Sequence, residues 1–236
     1  MGCQGVDPIR LRPVTIGLCI MPISLDASTP DDVSATDGDS LTTVYFSPPP
    51  GSLLVVCAGA TFTTNNAFSA SDSAGNAYTS GPSFNGGGLF GGGASFAMFQ
   101  TFAQGGSMTV SMNYSETAAN DIWLKVLVLT GANSFQAGAA QGHSRSGPAG
   151  TTSSEVTLTP NLAGSWIVAC TSVGGGQILP SRVSHFTDIS WLENSGNGSF
   201  GTGANEAWPG PAGPREVGWF GMAFLPNATG AWEIYA

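Results

Sequence analysis

The sequence predicts an all-β fold, and three observations carry that prediction. With 34 glycines and 15 prolines among 236 residues, long helices are excluded almost everywhere, and no stretch sustains apolar spacing at i, i+3 and i+4. Short β-rich runs alternate with turn clusters along the chain. Two of those runs, 53–57 (LLVVC) and 166–170 (WIVAC), are unbroken apolar segments of the kind buried on both faces.

Taken in order, residues 1–20 are expected to be an extension ahead of one β-sandwich domain spanning 21–236. The apolar tract 14–23 is broken by Gly17 and Pro22 and lacks the small-residue cleavage site of a signal peptide, so no leader is expected. An arm of about 20 residues needs something to lie against. The two readings are a neighbouring subunit and an added edge strand on its own sheet.

Strands are predicted at 23–27, 41–47, 52–60, 75–80, 94–103, 107–113, 121–130, 154–159, 165–173, 183–192, 197–204, 215–225 and 231–235. Pro48-Pro49-Pro50-Gly51 forces a turn after the second, because proline fixes φ and glycine supplies the reversal. The segment 71–76 reads as a polar, hairpin-like loop, and 85–93 (NGGGLFGGG) as a flexible loop with two apolar residues at its tip. Residues 205–214 (NEAWPGPAGP) form a long irregular loop.

The chain also repeats itself. Gly51-Ser52 and Gly164-Ser165 are each followed by four apolar residues and then a cysteine, Cys57 and Cys170. The runs 121–130 and 216–225 look like the closing strands of the two halves. Two Greek-key halves sharing a core predict a two-sheet β-sandwich, jelly-roll-like, with pseudo-duplicated halves. A chain of this length removes roughly 70% of its unfolded surface from water.

Charged residues make up 9% of the chain and the net charge is -9, with Lys125 the one lysine. The water-facing surface must therefore be Ser, Thr, Asn, Gln and Gly, which suits a protein packed among neighbours or one that meets sugars. Nucleic acid is excluded as a partner, since phosphate binding needs clustered cations and Arg10 and Arg12 are the one close pair. Membrane insertion is excluded too, because no apolar run approaches about 18 residues. Cys3, Cys19, Cys57 and Cys170 show no C-x-x-C spacing and read as buried thiols.

Motifs for catalysis fail one by one. His143 sits in a stretch read as a polar loop and His185 in a strand, and no G-x-S-x-G elbow accompanies either. Carboxylate pairs among Asp188, Glu193, Glu206 and Glu216 are what 15 acids produce by chance. The G-x-G-x-x-G matches at 86–91 and 196–201 do not open helices. Asp37 and Asp39 lack the remaining oxygens of a calcium loop. No catalytic residue, cofactor or metal is expected. The sequons at Asn113, Asn197 and Asn227 matter only in a glycosylating pathway.

Trp123, Trp166 and Trp219 lie inside apolar strands and belong to the core. Trp208 sits in the proline-glycine loop beside Asn205 and Glu206, and Trp191 ends a strand near Glu193. A tryptophan flanked by amide and carboxylate acceptors can stack on and hydrogen-bond a sugar ring. Trp208, Glu206, Asn205, Trp191 and the loop-tip Phe90 are thus the candidate glycan or host contacts, against the simpler reading of loop residues tucked onto the sandwich.

The succession SPPPGSLLVVCAGA (47–60), SDSAGNAYT (71–79) and DIWLKVLVLTGANS (121–134), with a second half ending in an apolar strand and Leu225-Pro226, resembles the β-sandwich minor tail proteins of tailed, mycobacteriophage-like phages infecting actinobacteria. The likeness covers about residues 21–226, and its most specific pieces are 72–79 and 124–132. The resemblance implies a non-enzymatic virion protein, on the tail tip or fibre in preference to the capsid, made in the host cytoplasm. Its expected partners are other virion proteins, further copies of itself (a trimer favoured) and a host cell-surface glycan. Alternatives are a capsid decoration protein, a carbohydrate-binding module or glycan hydrolase, and a secreted adhesin.

Overall fold

The computed structural model describes residues 22–62, 67–85, 93–115, 121–133, 141–146, 153–174, 183–184, 187–194, 198–205, 213–220 and 227–236; at 62, 85, 93, 141–146, 153–154, 183–184, 187–194, 198–199, 204–205, 215 and 220 it describes the backbone alone. The extension 1–20 lies outside them. The fold is all-β. Its strands are β1 (Ser24–Leu25), β2 (Val33–Thr36), β3 (Ser40–Thr42), β4 (Leu53–Phe62), β5 (Phe68–Asp72), β6 (Thr79–Asn85), β7 (Gly93–Phe102), β8 (Val110–Tyr114) and β9 (Asp121–Thr130). They continue with β10 (Gln141–Ser146), β11 (Ser153–Leu158), β12 (Trp166–Gly174), β13 (Val183–Ser184), β14 (Thr187–Asn194), β15 (Gly198–Asn205), β16 (Arg215–Phe220) and β17 (Asn227–Ile234).

These strands form four antiparallel sheets where the sequence predicts two. The first inner sheet runs β1-β9-β4-β7-β6, with β2 also on β9, and the first outer sheet runs β3-β8-β5. The second inner sheet runs β10-β17-β12-β15-β14, and the second outer sheet runs β11-β16-β13. Adding eight to each label from β2 to β9 turns the first pair of sheets into the second. The repeat seen at Gly51 and Gly164 thus extends over eight strands a side. The closing strands need correcting: β17, not the run 216–225, takes the place of β9, because β17 pairs with β12 as β9 pairs with β4.

Alternation places the sheets in layers. On β4, Leu54, Val56, Ala58 and Ala60 face a cluster that includes Leu41, Val110 and Met112 of the first outer sheet. Leu53, Val55 and Cys57 face a second cluster with Trp166, Val168, Cys170 and Trp232 of the other half. On β12, Ile167, Ala169 and Val173 face a third cluster with Val156, Val217 and Trp219. Both inner sheets are therefore covered on both faces, which explains their continuous apolar strands. The middle cluster joins the halves.

The same turn opens both central strands. Gly51 and Gly164 have φ of 78° and 83°. Ser52 Oγ donates to Pro49 O at 2.7 Å, and Ser165 Oγ to Leu162 O at 2.8 Å. A left-handed residue at this corner favours glycine, and the serine after it closes the turn.

Three strands escape the sequence reading. β2, β5 and β10 carry short, largely polar sequences (VSAT, FSASD, QGHSRS), too small to stand out from loops. His143 thus lies on β10, paired with Gly230, not in a loop. The predicted run 183–192 is two strands in different sheets, β13 and β14. The segment 71–76 is not a hairpin: it carries the chain from β5 in the outer sheet toward β6 in the inner one.

Candidate functional site

Among the sequence-named contact residues, Trp208, Glu206 and Phe90 lie outside the described residues. Trp191 lies on β14 opposite Gly201, and Asn205 ends β15 opposite Ile167 at the start of β12; only their backbones are described. The strands show where the two flanking segments depart. The halves run in the same direction: Ser172 Oγ reaches Ala60 O (3.2 Å) near the far ends of β12 and β4, and Asn133 N reaches Tyr235 O (2.8 Å) after β9 and β17. β7 begins at Gly93 opposite Phe62, at the end where β4 finishes, whereas β15 finishes where β12 begins. The segments that hold Phe90 and Trp208 therefore leave from opposite ends of the stack.

Three charged groups among the described residues tie down turns or connecting segments. The first is Asp72. Its Oδ1 accepts from the backbone N–H of Ala74 (2.9 Å) and Asn76 (3.1 Å), and its Oδ2 from Asn76 Nδ2 (2.9 Å) and Tyr78 OH (2.9 Å). Gly75, at φ 77°, lets the chain curl around the carboxylate. Partial burial works to raise the Asp72 carboxyl pKa, yet the bonds from Asn76, Tyr78 and Ala74 outweigh it and hold it below the usual carboxylate value. Burial, and then the Asp72 charge, push the Tyr78 phenol above its ordinary range.

The second is Glu233, wholly buried on β17. Its carboxylate accepts from Asn161 N (2.8 and 2.9 Å), Leu162 N (3.0 Å) and Ser165 Oγ (2.8 Å), so it ties down the turn that opens β12. The third is Lys125, whose Nζ donates to Pro30 O at 3.0 Å and sits 3.2 Å from Asp32 Oδ1. This holds the segment after β1 against β9. Each group fastens a chain crossing.

One shallow cavity of about 220 Å³ lies where β5, β6 and β7 meet, with Phe68, Ser80, Gly81, Ser83, Met98 and Phe99 in its lining. The shift in β6–β7 pairing between Ser80 and Ser83 falls within this lining. The described residues that line it offer ring faces and hydroxyls, and no titratable side chain. Among the described residues no group of three or more His, Cys, Asp or Glu could hold a metal. Val44 and Tyr45 stand side by side, 68% and 75% exposed, beyond β3.

Trp123, Trp166 and Trp219 are buried as the sequence predicts, and so are the Cys57 and Cys170 thiols. Asn227, one of the three sequon asparagines, is buried on β17, whereas Asn113 is exposed on β8. The bonding role of Asp72 was readable as an Asp followed by Gly and Asn, an Asx-turn signal. Glu233 and Lys125 were signalled only by being charges in apolar strands.

Comparison of the chain with protein-family models, with curated proteins and with solved structures finds no match in any of the three.

Proposed function

We propose that the chain is a non-enzymatic phage virion structural protein, a minor tail protein at the tail tip or fibre that contributes to host-surface attachment. The observation that carries this reading is the use made of Asp72. The stretch 72–79 is one of the two most specific pieces of the likeness to phage minor tail proteins, and its acid is spent on closing a loop between sheets, with all four bonds internal. A motif of that kind specifies a scaffold and leaves host contact to the segments between strands.

The strand order supports the same reading. Within each half, the first, eighth, third and sixth strands lie side by side in one sheet, and the second, seventh and fourth in the other. We read this order as jelly-roll pairing with one strand moved to the larger sheet, an architecture that recurs in viral capsid proteins and lectins. We read the chain as two such units fused back to back, so the duplication is of whole sandwiches and not of Greek keys. Fold alone does not set function; the likeness and the low charge supply the rest.

Localisation in intact particles by cryo-electron microscopy, with a copy count, tests the proposal. A few copies at the distal tail are expected. Hundreds of copies on the head would make it a decoration protein instead, and absence from particles would overturn the virion reading.

A further inference from the structure

Cys57 and Cys170 occupy the same position in the two halves, six residues after Gly51 and Gly164. Both are fully buried in the cluster that joins the halves, and neither is in a disulfide. Sheets packed face to face usually stand about 10 Å apart, but β4 and β12 come closer. The Ser172 hydroxyl spans the gap to the Ala60 carbonyl. A Cβ placed on Gly59 would lie 3.3 Å from the Ser172 Cβ. Cys57 and Cys170 each sit two residues before that pair, on the same faces of the same two strands, which run in the same direction. Cys57 and Cys170 therefore face each other across the same narrow gap, and a disulfide needs their Cβ atoms about 3.5–4.5 Å apart. The Cys57 thiol is near enough to act electrostatically on the Cys170 thiol.

We propose that Cys57 and Cys170 form a redox latch, a thiol pair that closes into a disulfide joining the two halves when the protein meets a small-molecule disulfide. The proposal does not depend on where the protein resides. In the first step one thiol loses its proton and attacks the small disulfide, giving a mixed disulfide and releasing one small thiol. The second thiol loses its proton, attacks the protein sulfur of that mixed disulfide, and releases the second small thiol. The protein gives up two electrons and two protons, and the small disulfide takes both.

Burial sets the rate. Exchange needs thiolate, and burial, followed by the neighbouring Cys57, holds the Cys170 thiol well above its ordinary range. Closure therefore waits for the halves to part at their shared cluster, and it is slow in the native protein and faster in mild urea. Once closed, the bond spans more than a hundred residues of chain, a span for which cross-linking strongly restricts the unfolded state.

The test uses the full chain with Cys3→Ser and Cys19→Ser, incubated with oxidised glutathione in urea below the unfolding midpoint. The expected product has lost two hydrogens by intact mass and yields a linked peptide pair carrying Cys57 and Cys170. Its melting midpoint rises by about 10 °C and falls back on reduction. The same chain with Cys170→Ala keeps its midpoint under oxidant. Two alkylatable thiols after incubation, glutathione adducts at both positions, or a linked product with no rise in midpoint would each overturn the latch.

Discussion

Phe200 of the second half lies flat on Trp123 of the first, ring centroids 6.0 Å apart and planes 7° from parallel. Gly59 makes the room: a Cβ there would come within 2.5 Å of the Phe200 ring. Phe96 holds the position on β7 that Phe200 holds on β15, and it lies over Gly230 of the opposite half, where a Cβ would likewise run into its ring. The halves are interlocked by a phenylalanine from each seated on a glycine of the other.

That interlock predicts a compensation. Gly59→Ala should cost about 1–3 kcal/mol by overpacking, and Phe200→Ala about 3–5 kcal/mol by opening a cavity. The double variant Gly59→Ala/Phe200→Leu should be more stable than Gly59→Ala alone, because the smaller side chain clears the new methyl. Urea unfolding midpoints decide it. A double variant no better than the single would mean that the ring is not what Gly59 accommodates.

Asp72 makes stability depend on acid. Its folded pKa lies below its unfolded value, so its contribution is present above the ordinary carboxylate range and is lost as pH falls through the folded value. Asp72→Asn should cost about 1 kcal/mol near neutrality, a modest figure because the site is largely open to water. Melting curves of both proteins from pH 7 to about pH 2 should converge at the acid end. A constant gap would assign the loss to shape and not to charge.

Several long inner strands were legible in the sequence and the short polar strands were not, for a physical reason. β9 was predicted at its observed bounds, and β4, β7 and β12 within about a residue or two, because strands covered on both faces are predominantly apolar. β2, β5 and β10 lie in outer layers or at sheet edges, where one face can be Ser, Thr or Asn and the pattern fades into that of a loop. The repeat was visible at Gly51 and Gly164 because a left-handed corner constrains residue type. It was lost at β9 and β17, where DIWLKVLVLT and NATGAWEI share shape but not sequence. Of the candidate contacts, Trp208, Glu206 and Phe90 fall outside the described residues.

The two equivalent turns are closed by different means, and this yields a third prediction. In the first half Pro48, Pro49 and Pro50 pre-set the chain. In the second, Asn161 and Leu162 present N–H groups that Glu233 gathers, while Val128 stands at the position equivalent to Glu233 in the first. Glu233→Gln should therefore cost about 2–4 kcal/mol, since an amide offers one acceptor oxygen and turns its NH₂ toward donors. Val128→Ala, which removes only packing atoms, should leave the first turn in place. Hydrogen exchange at Leu162 and Gly51 separates the two: protection should fall at Leu162 in the first variant and hold at Gly51 in the second.

Lys125 offers the most direct check on the first inner sheet, because it is the one lysine in the chain. Its side chain is 8% exposed, bound to Pro30 O and paired with Asp32, itself 17% exposed. An amine-reactive ester should therefore leave Lys125 unlabelled in the native protein and reach it only after unfolding. Lys125→Met leaves the Asp32 charge without its partner and should cost about 2–4 kcal/mol. Adding Asp32→Asn should recover a large part of that loss, since neutralising both members of a buried pair is far milder than orphaning one. Rapid labelling of Lys125 in folded protein, or no recovery in the double variant, would show that the ammonium is not held between Pro30 and Asp32.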